Sequence, residues 1–159
     1  MNKILLVLTL VLGTLVSNGQ SKDLKIGGMT TLTSGGVGYG TFLELNRIGI
    51  MYSRIANLSN EDPTDYIYGN VGSYTAGTDI SNIGIYLTTN VSKSFNIVSG
   101  LGHQNINDIT TNGIKNKQSL FALFGTEFLT NTNLSIRTDM LVSVETNTIF
   151  SIGIGYKLQ

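Results

Sequence analysis

Two adjacent stretches near the C-terminus decide the fold: LSIRTDMLVSVE at residues 134–145 and TIFSIGIGYKL at residues 148–158. Large apolar side chains share one face of both stretches: Leu134, Ile136, Met140, Val142, Val144, Phe150, Ile152, Ile154, Tyr156 and Leu158. The other face carries serines, glycines and charged residues such as Arg137 and Asp139, with Leu141 as the exception in the first stretch. Alternation with a period of two over this length predicts a β-hairpin.

The composition limits the class of protein. At 159 residues the chain fits one domain, its net charge is zero, and charged residues make up 13% of it, about half the usual share. A zero net charge gives no reason to expect a nucleic-acid partner. The absence of cysteine and the single histidine exclude a disulfide framework, a lipoprotein anchor and thiolate or multi-histidine metal sites. We therefore expect no cofactor and no metal.

Residues 1–20 predict a secretory signal peptide. The start is short and basic, residues 4–16 form an apolar run, and residues 17–20 supply small side chains for cleavage. The apolar run is shorter than the roughly 20 residues that a membrane-spanning helix needs. We expect cleavage at the end of this segment, which leaves residues 21–159 as a single exported domain.

Six further segments alternate in the same way as the terminal hairpin. They cover residues 24–33, 37–45, 48–56, 79–90, 94–107 and 117–130. Together these segments make eight strands of roughly ten residues, the length that a tilted strand needs to cross a membrane. The sequence therefore predicts an all-β fold, an eight-stranded antiparallel up-and-down transmembrane β-barrel that follows an N-terminal signal peptide.

Three short connections, at residues 46–47, 91–93 and 131–133, test this topology. If each is a tight turn, the two strands that it joins pair in a defined register. The expected opposite pairs are Leu45 with Ile48, Ile97 with Leu87, and Arg137 with Glu127. In all three hairpins apolar residues then oppose apolar residues and polar residues oppose polar ones. A slip of one residue would mix the two faces.

The composition of the polar face indicates which face lies inside. The exterior of a soluble barrel is normally rich in Lys and Glu, whereas this face is mostly Gly, Ser, Thr and Asn. Small residues beside a few charges fit the interior of an eight-stranded barrel, which is just wide enough for side chains. We therefore place the apolar face toward lipid. Aromatic residues near strand ends would form interfacial girdles: Tyr39, Phe95, Phe128 and Tyr156.

The signal peptide, the alternating strands and the terminal GIGYKLQ at residues 153–159 resemble the small outer-membrane β-barrel families of Gram-negative bacteria. These include OmpX-like and OmpA-transmembrane-domain-like proteins, and SNGQ at residues 17–20 resembles cleavage regions of Bacteroidota. The resemblance implies export through the Sec pathway, an outer-membrane location and periplasmic termini. It also implies contact with outer-membrane lipid, including lipopolysaccharide, and with the barrel assembly machinery. It names no extracellular partner.

Charged residues on the predicted interior face form the first candidate site. Alternation points five of them into the lumen: Glu44, Glu127, Arg137, Asp139 and Lys157. Buried charges are costly unless they are paired, so we expect a network in which Glu127 pairs with Arg137 beside Asp139. Such a network would fill and fix the barrel. A small or gated ion path is the alternative function of the same residues.

The long connection at residues 58–78 forms the second candidate site. It carries carboxylates and tyrosines at Glu61, Asp62, Asp65, Tyr66, Tyr68 and Tyr74. We expect this connection on the external side, together with those at residues 34–36, 108–117 and 145–148. There its side chains would contact a ligand at the cell surface. The spacing of its acidic residues matches no EF-hand calcium loop.

His103 raises the hypothesis of a lipid-A-modifying enzyme. In barrels of that class a His and a Ser stand at the outer rim, and a deacylase shows a His-x-Ser run. Here the run is His-Gln-Asn at residues 103–105, so the nucleophile is missing at that spacing. We therefore expect a non-enzymatic barrel with a structural, adhesion or narrow-pore role. The other alternative is a soluble secreted lipocalin-like barrel that binds a small apolar ligand inside.

Overall fold

The computed structural model of the chain describes residues 23–33, 36–58, 75–110, 113–130, 132–146 and 148–158. They form one closed barrel of eight antiparallel strands in chain order, which confirms the predicted fold class. The strands are β1 (Leu24–Thr33), β2 (Gly36–Leu45), β3 (Ile48–Leu58), β4 (Thr75–Asn90), β5 (Phe95–Thr110), β6 (Gly113–Leu129), β7 (Leu134–Ser143) and β8 (Ile149–Leu158). The predicted signal peptide lies outside the described residues, among which no helix is long and apolar enough to cross a membrane.

The register of the strands sets the tilt and the width of the barrel. Register partners can be followed once around the barrel from Leu24 and lead back to Leu32 on the same strand, eight residues further along. The path runs through Leu45, Ile48, Leu87, Ser99, Phe124, Met140 and Phe150. Eight strands with a shear of eight tilt by about 36° from the barrel axis. Side chains fill an interior of this size.

Two of the three predicted hairpins have the expected register. Leu45 lies opposite Ile48, and Glu127 lies opposite Arg137. The residues between β2 and β3, Asn46 and Arg47, have φ angles of 50° and 76°. Two consecutive positive φ values are the mark of a type I′ turn, whose twist matches that of the strands it joins.

The turn between β4 and β5 is longer than predicted. Residues 91–94 all leave the strands, and Leu87 lies opposite Ser99 instead of Ile97. The predicted register is therefore wrong by two residues. Side chains alternate with a period of two, so an even shift leaves each residue on its expected face. Leu87 and Ile97 both still point outward.

Large apolar side chains cover the outside of the barrel in a continuous belt. Ile85, Leu101 and Ile154 are typical of it, with 66%, 68% and 63% of their surfaces exposed. Phe95 and Phe128, register partners at the end of the barrel that bears the short turns, have ring centroids 5.1 Å apart. An apolar surface of this extent fits the lipid-facing band of a membrane barrel. The soluble alternative, which places this face inside, is wrong.

Three adjacent strands extend beyond the rest of the barrel at one end. β4, β5 and β6 have 16, 16 and 17 residues, whereas the other strands have 10 or 11. The predicted connection at residues 108–117 is mostly strand, because β5 runs to Thr110 and β6 begins at Gly113. This part lies beyond the apolar belt, where a strand needs backbone pairing but no apolar face.

Candidate functional site

Five buried side chains join five strands at the end of the lumen that bears the short turns. Lys25 Nζ donates to Glu127 Oε2 at 2.7 Å and to Glu44 Oε1 at 3.1 Å. Thr88 Oγ1 donates to Glu44 Oε2 at 2.7 Å, and Asn96 Nδ2 donates to Glu127 Oε2 at 3.0 Å. None of the five is more than 6% exposed. We call these residues the lumen floor: one ammonium shared by two carboxylates, each of which accepts a further neutral hydrogen bond.

Arg137 lies directly above the lumen floor. Its Nε donates to both carboxylate oxygens of Asp139, at 2.9 Å and 2.8 Å. The two residues are two positions apart on β7, so alternation places both side chains inside. The guanidinium carbon lies 3.9 Å from the centroid of the Tyr86 ring and 4.9 Å from that of Phe42. Aromatic faces attract a guanidinium and exclude water from it.

Interior glycines make room for the aromatic rings. Tyr86 lies between its register partners Gly49 on β3 and Gly100 on β5, and a Cβ at Gly49 would collide with the ring. Two other rings repeat the arrangement: Phe42 over Gly27 and Gly155, and Phe121 over Gly84 and Gly102. These glycines of the interior face therefore provide the surfaces on which the interior rings pack.

This packing predicts different effects for two glycine substitutions. Gly49→Ala should destabilise the barrel, because overpacking against Tyr86 costs about 1–3 kcal/mol. Gly28→Ala is the matched control, since a Cβ there meets nothing within 4 Å and glycine itself weakens a strand interior. Urea titration of the two refolded variants in detergent micelles measures the difference. Equal stabilities would show that the Tyr86 ring does not pack on Gly49.

Apolar and polar side chains together fill the lumen above Arg137. Met29, Met51, Leu123 and Leu141 are buried there. Asn82 Nδ2 donates to Ser53 Oγ at 3.1 Å, and Asn82 Oδ1 accepts from Gln104 Nε2 at 2.8 Å. Phe121 and Ile149 are buried as well, and the far end is filled by Ile55, Ile80 and Ile106, which are no more than 4% exposed. Among the described residues, buried side chains therefore occupy the lumen from the lumen floor to the far end.

The structure places most of the predicted lumen charges inside the barrel. Glu44, Glu127, Arg137 and Asp139 are all buried. Lys157 is not, because it stands at the end of its strand: 40% of its side chain is exposed, and its Nζ lies 2.8 Å from an oxygen of Asp23. Lys157 therefore belongs to the rim of the barrel, which corrects the prediction for this residue.

The predicted ion pair between Glu127 and Arg137 is wrong. The two residues are register partners, but Glu127 pairs with Lys25 and Arg137 pairs with Asp139. Lys25 is the interior charge that the prediction missed. The sequence contains an indication of this, because Lys25 lies between the apolar Leu24 and Ile26 at the start of β1. Alternation assigns a face, whereas the contact between β1 and β6 arises only when the barrel closes.

The structure locates His103 but does not describe the predicted contact residues of the connection at residues 58–78. His103 lies exposed on the outer face of β5, between the apolar register partners Ile83 and Leu120. It is therefore near the upper edge of the belt and outside the lumen. The carboxylates and tyrosines predicted as surface contacts lie outside the described residues: Glu61, Asp62, Asp65, Tyr66, Tyr68 and Tyr74.

Comparison with known proteins identifies the fold. No protein-family model and no curated protein matches the sequence. The outer-membrane protein Ail of Yersinia pestis in a phospholipid nanodisc has a TM-score of 0.61 at 11% identity, covering 87% of this chain and 100% of that one. The N-terminal β-barrel domain of Pseudomonas aeruginosa OprF has a TM-score of 0.52 at 15% identity, covering 89% and 100%. This chain has the fold of the small eight-stranded outer-membrane β-barrels.

Proposed function

We propose that the chain is a non-enzymatic outer-membrane β-barrel of a Gram-negative bacterium that conducts no ions and acts through the surface it presents outside the cell. The filled lumen is the observation that carries this proposal. From the lumen floor to Ile55 and Ile106 at the far end, buried side chains occupy successive levels of the barrel. An ion that entered would lose its hydration shell against apolar side chains, which is energetically prohibitive.

The proposal includes a location and an orientation. The apolar belt contacts outer-membrane lipid, including lipopolysaccharide. The extended ends of β4, β5 and β6 lie outside the cell, and both termini lie in the periplasm. The short turn at residues 46–47 supports this orientation, because outer-membrane barrels have short periplasmic turns and longer extracellular connections. Sec-dependent export, removal of residues 1–20 and insertion by the barrel assembly machinery belong to the same proposal.

The extended strands support a role in surface interaction. Most of the chain is used to close and fill the barrel, whereas the ends of β4, β5 and β6 reach beyond the belt. Material beyond the belt contributes nothing to spanning the membrane, so it is the part of the barrel free to contact other molecules. Ail, which has the same fold, is named as an attachment and invasion locus protein. Adhesion is therefore the form of surface interaction that we favour.

Reconstitution into planar lipid bilayers tests the filled lumen. The purified protein should give no unitary conductance steps across a wide voltage range, while a general porin in the same bilayers serves as the positive control. Insertion of the silent protein is checked separately by protease protection in vesicles of the same lipid. Reproducible unit steps from the inserted protein would overturn the proposal and restore the narrow-pore alternative.

The enzymatic alternative makes its own prediction about His103. Deleting the gene, or replacing His103 with Ala, should leave the lipid A of the native host unchanged. His103 lies between the apolar register partners Ile83 and Leu120. The two neighbouring strands therefore place no nucleophile directly opposite it. Mass spectrometry of extracted lipid A measures the result. A mass change of one acyl chain or one substituent, seen in both strains, would establish an enzyme.

A further inference from the structure

The lumen floor carries more negative charge than its own ammonium balances. Lys25 supplies one positive charge, whereas Glu44 and Glu127 supply two negative charges. Arg137 does not correct the balance, because it forms a separate ion pair with Asp139. None of these five side chains is more than 6% exposed, and an uncompensated charge is costly away from water. The lumen floor therefore requires a further positive charge.

Among the described residues, three buried oxygen atoms around the Glu127 carboxylate have no hydrogen-bond partner: Glu127 Oε1, Asn96 Oδ1 and Ser135 Oγ. The hydrogen bonds from Lys25 and Asn96 both end on Glu127 Oε2. Asn96 and Ser135 are 3% and 1% exposed, so bulk water does not replace the missing partners. Buried polar atoms of native proteins are almost always satisfied, and a set of unpartnered oxygens therefore indicates a bound water or ion.

The strand register brings these oxygens to one place, at the end of the lumen that bears the short turns. Glu127 is the register partner of Asn96 on β5 and of Arg137 on β7. Ser135 precedes Arg137 by two positions and so shares its interior face, beside the Glu127 carboxylate. The excess negative charge and the unpartnered oxygens therefore coincide.

A monovalent metal cation fits this place better than water or a divalent ion. Hard cations take carboxylate, carbonyl and other oxygen ligands and need neither cysteine nor histidine. A bound water would partner the oxygens but leave the excess charge in place. Calcium takes more oxygen ligands and magnesium requires a near-ideal octahedron, and the Lys25 ammonium beside the carboxylate disfavours a second full charge. One positive charge is what the lumen floor lacks.

We propose that the lumen floor binds one monovalent metal cation, such as Na⁺, through Glu127 Oε1, Asn96 Oδ1 and Ser135 Oγ. The cation neutralises the lumen floor and links β5, β6 and β7. This inference goes beyond the proposed function and holds for either orientation of the barrel. It involves no conduction, because buried side chains fill the lumen above Arg137. The cation enters and leaves at the end that bears the short turns.

Urea titration of the full refolded barrel in uncharged detergent micelles tests the inference, with sodium chloride as the probe. Choline chloride replaces sodium chloride at constant ionic strength, because choline is too large to sit among the three oxygens. Above the dissociation constant, each tenfold rise in sodium should raise the ratio of folded to unfolded protein about tenfold. A stability that does not change with sodium would overturn the inference. A water, or a shift of Arg137 onto Glu127, would then satisfy the carboxylate.

Two matched serine substitutions locate the site. Ser135→Ala removes one proposed ligand and should move the sodium response to a concentration at least about tenfold higher, since even groups that only orient a metal ligand contribute this much. Ser151→Ala removes another buried, unpartnered hydroxyl of the described residues. Ser151 is the register partner of Asp139, so this variant should keep the sodium response. Equal responses of the two variants would place the cation elsewhere and overturn the assigned site.

The charge and the identity of the ion are tested separately. Glu127→Gln keeps the size of the side chain and removes the excess charge, so its stability should no longer depend on sodium. A stability of the unmodified chain that follows pH but not sodium would assign the missing charge to a proton and overturn the inference. Magnesium chloride at the same ionic strength should stabilise less than sodium chloride. Stronger stabilisation by magnesium that is lost in Ser135→Ala would overturn the choice of a monovalent cation.

Discussion

Replacing Lys25 with Met should destabilise the barrel by about 3–5 kcal/mol, the cost of breaking a buried ion pair by removing one partner. Lys25 Nζ is the ammonium that Glu44 and Glu127 share. Methionine keeps most of the apolar stem but offers no donor, so two carboxylates remain buried without their cation. Urea titration of the refolded variant in detergent micelles, followed by the heat-dependent mobility of the barrel on gels, measures the loss.

The matched control for this variant is Lys157→Met. Lys157 is the register partner of Lys25 on β8, and it is also ion-paired, but 40% of its side chain is exposed. Exposed ion pairs contribute about 0–1 kcal/mol, so the control should be nearly neutral. Adding Glu44→Gln and Glu127→Gln to Lys25→Met should recover part of the loss by removing the unpaired charges. Equal effects of Lys25→Met and Lys157→Met would contradict the buried lumen floor.

Ile152→Lys should impair insertion of the barrel, because a lysine near the bilayer midplane costs about 2–4 kcal/mol. Ile152 points outward from β8 between Thr30 and Thr138, in the middle of the apolar belt. The variant should fold into lipid vesicles with a lower yield and unfold at a lower urea concentration than the unmodified chain. Folding yields from gel mobility in the same vesicles provide the measurement.

Val144→Lys makes the same chemical change outside the belt. Val144 follows β7 and is 95% exposed, so its substitution should leave insertion and stability almost unchanged. A similar loss in both variants would point to a general effect of added charge. No loss in Ile152→Lys would mean that this face does not contact lipid.

The strands and their faces could be predicted because alternation reports the period of the backbone directly. The terminal hairpin shows this most clearly, since Ile152, Ile154 and Tyr156 all lie outward as predicted. The assignment of faces was also correct for β4 and β5, although their predicted register was wrong. An error of two residues there moved Leu87 from Ile97 to Ser99 without changing a face.

The contacts inside the lumen could not be predicted in the same way. Alternation placed Arg137 and Glu127 on one face and opposite each other, but Arg137 binds Asp139 along its own strand. Glu127 instead binds Lys25, which reaches it across the lumen from β1. These choices depend on the shear of the closed barrel and on the rings of Phe42 and Tyr86 beside the guanidinium. No local sequence pattern contains that information.

The extended end of the barrel escaped prediction for a different reason. Alternation between apolar and polar residues is enforced only where one face meets lipid. Beyond the belt, the outward face of β5 and β6 carries Asn105, Asn107 and Asn116, and Asn116 Nδ2 donates across the strands to Asn105 Oδ1 at 2.9 Å and Asn107 Oδ1 at 2.8 Å. A strand in this region lies in water and needs only backbone pairing with its neighbours. Its side chains can therefore have the composition typical of a loop.

Fractionation of the native host, with unheated and heated gel electrophoresis of the detergent extract, tests the central claim most directly. The account predicts recovery in the outer membrane and a folded band whose mobility changes on heating, as expected for a closed barrel with an apolar exterior. Recovery in the soluble periplasmic or secreted fraction would contradict it, because the apolar belt could not then face lipid.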